Sequence, residues 1–148
     1  MYNLRMWTLD IVAGEGRVGN EAGGNGLETT QLSNFTATSD NSGAKELWRG
    51  PWAGISRTNW ILTNIDKSPK ISDAKKTQYK GEAHFLRGLY YFNLVRLFGD
   101  VPWIDKQQTA SDDLQVSRTS KDIVYQHIID DFSDAASMLP AVYENTTD

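Results

Sequence analysis

The chain has 148 residues, a net charge of −4 and a pI near 5.1. No short basic group in it forms the Lys/Arg stripe that phosphate contacts require, which excludes a nucleic-acid surface. It contains no cysteine, so disulfides, thiolate metal sites, a Cys nucleophile and a lipid-anchor Cys on this chain are excluded as well. A hydrophobic fraction of 39% at this length suits one globular domain over 1–148, and no run approaches the ~20 apolar residues of a membrane span.

Met1 is followed by YNLRMWTLD, which lacks the basic start and small-residue cleavage site of a signal peptide. Leu4, Trp7 and Ile11 keep helical spacing and predict a short helix from Asn3 to Val12. Gly14 to Gly26 then holds six glycines in 13 residues. It contains a formal Gly-x-Gly-x-x-Gly at Gly14, Gly16 and Gly19. That motif grips a dinucleotide only between a strand and a helix start, and neither is predicted here, so the stretch reads as a long glycine-rich surface loop. The loop continues through the polar segment LETTQLSNFTATSDNSGAK.

A long helix is predicted from Ala44 to about Ile65, with Trp48, Trp52, Ile55, Asn59, Leu62 and Ile65 recurring at steps of three and four. Pro51 removes an amide donor and crowds the carbonyl four residues back, so a kink or restart is expected near Gly50. Asn59 on this apolar face is expected to be a structural hydrogen-bonder. Ser68-Pro69 ends the helix, and Ser72 or Asp73 caps the next.

Thr77 to Trp103 is the central stretch. Tyr79, Ala83, Leu86, Tyr90, Leu94 and Leu97 share one helical face, and Phe85, Leu89 and Phe92 form a second stripe. A helix this apolar is expected to be buried on more than one side, with Leu86, Tyr90 and Leu94 almost fully covered. From Lys75 to Phe98 it would span about 36 Å. Gly99 can take the left-handed conformation that closes it, and Pro102 cannot continue it. After the loop DKQQTASDDLQVSR a last helix starts at Thr119 or Ser120. Thr119 and Asp122 stand at capping-box spacing. Ile123, Ile128, Phe132, Ala135 and Leu139 give its apolar face, and Pro140 lies just past its end.

Little of this carries catalytic chemistry. His84 and His127 lie on different helices without a partner at metal-ligand spacing. Asp112-Asp113 and Asp130-Asp131 are adjacent pairs, and neighbours on a helix point in different directions, so Asp130 and Asp131 form no catalytic dyad by themselves. No Gly-x-Ser-x-Gly elbow occurs. The sequence gives no positive evidence for an enzyme, a metal or a cofactor. Ligand binding fits better: sugars need exposed aromatic rings and amide, carboxylate or Arg partners. The loops supply these at Asn20, Asn25, Glu28, Asn34, Asp40, Asn41, Arg49 and Trp103. Of them Asn25, Asn41 and Trp103 are the candidate ligand contacts. The competing account is ordinary loop polarity, and for Trp103 packing against the helix end.

The run GEAHFLRGLYYFNLVRLFGDVPW closely resembles the signature helix of the SusD/RagB family. Glu82, Ala83, Phe85, Leu86, Arg87, Tyr90, Tyr91, Phe92, Gly99, Asp100, Val101 and Pro102 match it in order. Leu47, Trp48, Ile55 and Asn59 resemble a second family segment, where Trp52 replaces a Tyr. Arg118, Ser120, Val124, Tyr125, Ile128, Ile129, Asp131 and Ala135 resemble a third, where Ser120 replaces a Thr and Phe132 a Leu. The three segments cover Leu47 to Pro140. The resemblance implies an all-α fold of antiparallel long helices with tetratricopeptide-like packing, with Ala83 and Gly88 at helix crossings. It implies an outer-membrane, surface-exposed lipoprotein that binds a glycan or peptide without catalysis or cofactor. The partner implied is a SusC-like TonB-dependent transporter. It also implies that this chain is part of an amino-terminal region, lacking the signal peptide, the lipidated Cys and the carboxy-terminal half. The alternatives are a tetratricopeptide-like protein-interaction module and a piece of a polysaccharide hydrolase.

Overall fold

The computed structural model describes residues 6–16, 27–112 and 115–143. The element order is α1 (Met6–Val12), α2 (Leu27–Ser33), α3 (Ser42–Asn64), a 3-10 turn (Ile65–Lys67), α4 (Asp73–Phe98) and α5 (Lys121–Met138). The fold is all-α, as the sequence pattern implied. Among the described residues β-structure is limited to an isolated antiparallel bridge between Val101 and Thr119. Two compact units follow each other, 1–51 and 52–148, and α3 runs from one into the other.

In the first unit α1 packs on α2. The sequence reading placed Leu27–Ser33 in a loop, because its threonines are weak helix formers and its apolar residues are sparse. Tertiary packing overrides that weak propensity, and Thr29 is buried. Asn41 starts α3 from inside the unit. Its Oδ1 accepts from the Ala44 amide at 3.1 Å, the bond that an N-cap side chain makes. Its Nδ2 donates to the Glu28 carbonyl and to Gln31 Oε1, both at 2.9 Å. Gly14 takes φ 82° directly after α1. A helix therefore precedes the Gly-x-Gly motif where a dinucleotide fold needs a strand. The rest of that loop, residues 17–26, and the Asn3–Arg5 part of the first predicted helix lie outside the described residues. No break appears at Pro51, which sits inside a continuous α3. The missing donor leaves one carbonyl without its intrahelical bond, and the turns on either side hold.

In the second unit α4 is central. Ser72 caps it by accepting from the Lys75 amide at 3.4 Å. Gly99 closes it at φ 68°, its amide donating to the Val95 carbonyl at 3.0 Å. α5 runs antiparallel beside α4. A Cβ on Gly81 would stand 2.9 Å from Leu139 and Met138, and one on Gly88 would stand 2.9 Å from Phe132. Small residues thus let the two helices approach, at Gly88 as expected and at Gly81 in addition. On another flank, the Trp52–Asn64 part of α3 lies close enough that a Cβ on Gly54 would overlap the Tyr90 ring at 2.3 Å.

The buried face of α4 differs from the expected one. Leu94 is fully buried, but Tyr90 is only half-buried, Leu86 is 39% exposed and Phe85 is 47% exposed. The flanks that meet neighbours carry Gly81, Ala83, Arg87, Gly88, Tyr91 and Leu94. In α5 the buried positions are Val124, Ile128, Asp131 and Ala135. Ile123, assigned to the core, is 52% exposed. The capping box at Thr119–Asp122 is also replaced. Ser120 is the N-cap but makes no side-chain cap bond, and Asp100 Oδ1 accepts from the Lys121 amide at 2.8 Å instead.

Two truncations separate the observed face from the expected one. Leu94→Ala is expected to lower unfolding free energy by about 2–5 kcal/mol through lost transfer energy and a cavity. Leu86→Ala is expected to cost less than about 1 kcal/mol, as exposed positions do. Urea unfolding of both variants, monitored by helical circular dichroism, checks the order.

Candidate functional site

Steps of three and four residues put His84, Arg87 and Tyr91 on one side of α4. Facing them are Asn59 of α3, Asp131 of α5 and the chain that returns after Gly99. The Arg87 guanidinium lies at the centre. Its Nε donates to Asp131 Oδ2 at 2.8 Å and its Nη2 to Oδ1 at 2.6 Å, a bidentate charge-assisted pair. Its Nη1 donates to Asn59 Oδ1 at 3.0 Å and to the Asp105 carbonyl at 2.9 Å. His84 Nδ1 lies 2.8 Å from Asp131 Oδ1. Both Arg87 and Asp131 are buried, at 7% and 2% exposure.

The same groups pin the backbone of the returning chain. Asn59 Nδ2 donates to the Ile104 carbonyl at 2.8 Å. The Tyr91 hydroxyl donates to that carbonyl at 3.2 Å and accepts from the Ile104 amide at 2.8 Å. Further along, the Gln107 amide donates to Thr63 Oγ1 at 3.3 Å and Asn64 Nδ2 donates to Gln107 Oε1 at 2.7 Å. Residues 104–107 are thereby fixed by side chains from two helices. Outside this clamped segment lies a solvent-open cleft of about 230 Å³. Trp103, Ile104 and Val116 form its apolar lining, and Asp105, Lys106, Gln108 and Asp112 its polar lining.

The electrostatics follow from burial and pairing. Burial raises the Asp131 carboxyl, but hydrogen bonds from Arg87 and His84 and their charges outweigh it, leaving the group below the ordinary carboxylate range. Asp131 therefore stays ionised and cannot serve as a proton donor near neutral pH. Burial pushes the Tyr91 phenol well above its usual value, so it too holds its proton. Asp112 is held low by hydrogen bonds from the Thr109 amide and hydroxyl. This arrangement positions a loop; its central groups are saturated by one another. Among the described residues no three His, Asp or Glu side chains are grouped to hold a metal.

The expected site residues fall in different places. Asn25, like Asn20, lies outside the described residues. Asn41 belongs to the first unit, where it is buried, its amide donating to the Glu28 carbonyl and Gln31 Oε1 while its Oδ1 caps α3. Trp103 belongs to the second unit. Its ring stacks on His127 at 4.4 Å and 15°, and its centroid is 4.3 Å from that of Tyr91. Arg87 Cζ stands 5.4 Å from it. Trp103 is thus packed against both rings while it lines the cleft. Asn59 is the structural hydrogen-bonder that the sequence suggested. The central roles of Arg87, Tyr91 and Asp131 were not anticipated. The available signal was Arg87 itself, a fixed charge four residues from Ala83 and Tyr91 on the packed face, which demands a buried partner.

Comparison with known proteins gives a consistent result. The family model SusD-like, described as starch-binding associating with outer membrane, matches residues 5–148. The SusD-like protein P2 of Formosa agariphila is 33% identical over 111 residues, 74% of this chain. A solved laminarin-binding SusD-like protein superposes with TM-score 0.82 at 27% identity over 93% of this chain and 30% of its own. Surface glycan-binding protein A from Bacteroides uniformis superposes with TM-score 0.70 at 27% identity over 82% of this chain and 26% of its own. The chain spans 22% of the length of the first curated relative.

The buried pair supplies a test. Asp131→Asn leaves the Arg87 charge unpaired and is expected to cost about 3–5 kcal/mol. Arg87→Leu combined with Asp131→Leu should lose less than the sum of the single changes. The acid limb carries the sign. A carboxyl whose folded pKa lies below its unfolded one contributes stability that is complete above about pH 4. That contribution disappears as pH falls through the depressed value. Urea midpoints from pH 7 to pH 2 should therefore fall more steeply in the parent than in Asp131→Asn.

Proposed function

The chain belongs to the SusD-like family, and on that premise we propose that it forms part of a surface glycan-binding protein of the outer membrane. In this reading it binds oligosaccharides without transforming them, and hands them to a TonB-dependent transporter of SusC type. The observation that carries the proposal is the family match over nearly the whole chain, together with the likeness to a laminarin-binding relative. The geometry supports binding over catalysis. The buried carboxylate is locked by Arg87, and the clamped 104–107 segment gives a rigid wall for a cleft of amide, carboxylate and ammonium groups.

The chain spans a small share of its relatives, so the glycan site is proposed to draw contacts from beyond these residues. Of the three candidate contacts, Asn25 stays with the glycine-rich loop and Asn41 acts through the α3 cap. Trp103 lines the cleft while packed on His127 and Tyr91. None of the described helices is long and apolar enough to cross a membrane.

Calorimetric titration with laminari-oligosaccharides tests this reading. The full polypeptide that contains these residues is expected to bind without releasing shorter sugars. The 148-residue chain alone is expected to bind near millimolar or not at all, because half a site still bears the whole association cost of several kcal/mol. Equal affinity in the two would place the site wholly within this chain. Release of shorter sugars would overturn the binding-only reading. Co-purification of a TonB-dependent transporter from detergent-solubilised outer membranes checks the partner.

A further inference from the structure

Trp103 is held in the second unit by Tyr91, Arg87 and His127, and these holders differ in what else they do. The Tyr91 hydroxyl fixes the Ile104 backbone. Arg87 carries the buried pair with Asp131. His127 is half-buried on α5, and its imidazole lies nearly parallel to the indole, at 15°. Among the described residues no hydrogen bond or ion pair engages its ring nitrogens, so the imidazole acts through its face. His127 and Asp131 are four residues apart and project from the same side of α5. The lock on Arg87 therefore fixes the stretch of helix that carries the stacked ring. Val124, Tyr125, Ile128 and Ile129 resemble the family segment, and position 127 between them does not. The stack belongs to this chain's own sequence.

We propose that His127 is a positioning residue for the cleft: its imidazole sets the orientation in which the Trp103 indole meets a sugar ring. This rests on the reading that the cleft binds glycan. Trp103 lines the cleft beside Asp105, Lys106, Gln108 and Asp112. The backbone of 104–107 is already clamped by Asn59, Tyr91 and Thr63. An indole free to turn about its side-chain torsions would have to be ordered against these polar groups whenever a ligand arrived. Ordering a side chain on binding costs affinity, and a ring held in place beforehand avoids that cost. A flat partner is suited to the task, because aromatic pairs prefer defined geometries. Tyr91 and Arg87 also hold backbone and helix register, so His127 is the holder that can be changed without undoing the clamp.

A double-mutant cycle tests it, in the full polypeptide that contains these residues, by calorimetric titration with laminari-oligosaccharides. His127→Ala is expected to weaken binding about three- to tenfold, the range set by ordering one side chain. His127→Phe restores a flat ring and is expected to stay within about twofold of the parent. In a Trp103→Ala background, His127→Ala should cost nothing further, because the indole that it orients is gone. A loss through general instability would appear in both backgrounds, so the cycle separates the two roles. Near-ultraviolet circular dichroism gives a readout without ligand: His127→Ala should alter the indole bands in the parent and leave them unaltered in Trp103→Ala. Unchanged affinity in His127→Ala, an equal loss in His127→Phe, or additive losses in the cycle would each overturn the proposal. A parent that binds no laminari-oligosaccharide would instead sink the glycan reading, and the positioning role with it.

Discussion

The second unit depends on one buried charge pair. Arg87 and Asp131 together form a neutral, bidentate unit, but neither is tolerable alone at this depth, because an unpaired charge away from water is costly. The pair therefore fixes α4 and α5 in register: a shift of one turn would separate the two. It also recruits its surroundings. The guanidinium has donors left after the carboxylate is satisfied, and Asn59 and the Asp105 carbonyl accept from them. Through these bonds the register of α3 and the course of the returning chain depend on the same side chain.

The connection between α4 and α5 shows how a polar loop is held without a sheet. Gly99 turns the chain at positive φ, and Asp100, the next residue, supplies the cap that Thr119 and Ser120 do not provide to α5. Val101 then bridges Thr119, so the loop closes at its base before it opens into the cleft. A carboxylate at the N-terminal amides also complements the helix dipole. Capping α5 from the end of α4 couples the termination of one helix to the initiation of the next. The Gly-Asp-Val order after Phe98 has a mechanical meaning here as well as a family one.

Much of this was legible in the sequence, and the failures share a cause. The long helices, the Ser72 cap and the Gly99 stop follow from local chemistry, which sequence displays directly. The short α2 was missed because Thr29 and Thr30 are weak helix formers and its apolar residues are few, and the helix is held by packing on α1. The α5 cap was misassigned because its acceptor, Asp100, is 21 residues away from Lys121. The candidate site was legible only in its residue types. Asn41 and Trp103 are polar and aromatic loop residues, as chosen. The structure gives Asn41 to a helix cap and packs the Trp103 ring against His127 and Tyr91, and neither use leaves a mark at sequence spacing.

The misplaced face of α4 is the more instructive case. Periodicity identifies a helix face when one side is apolar and the other polar. In α4 the apolar residues go nearly all the way round, so the pattern says that the helix is central but not which neighbour meets which stripe. The closest contacts are marked by what is small or polar: Gly81 and Gly88 where α5 presses in, Arg87 where a counter-charge waits. The large apolar residues Phe85, Leu86 and Tyr79 remain partly exposed. The glycines and the buried cation of α4 face the neighbours that press closest, and its bulky residues do not. Periodicity thus measures how apolar α4 is, while its small and charged residues show which sides meet α5 and the returning chain.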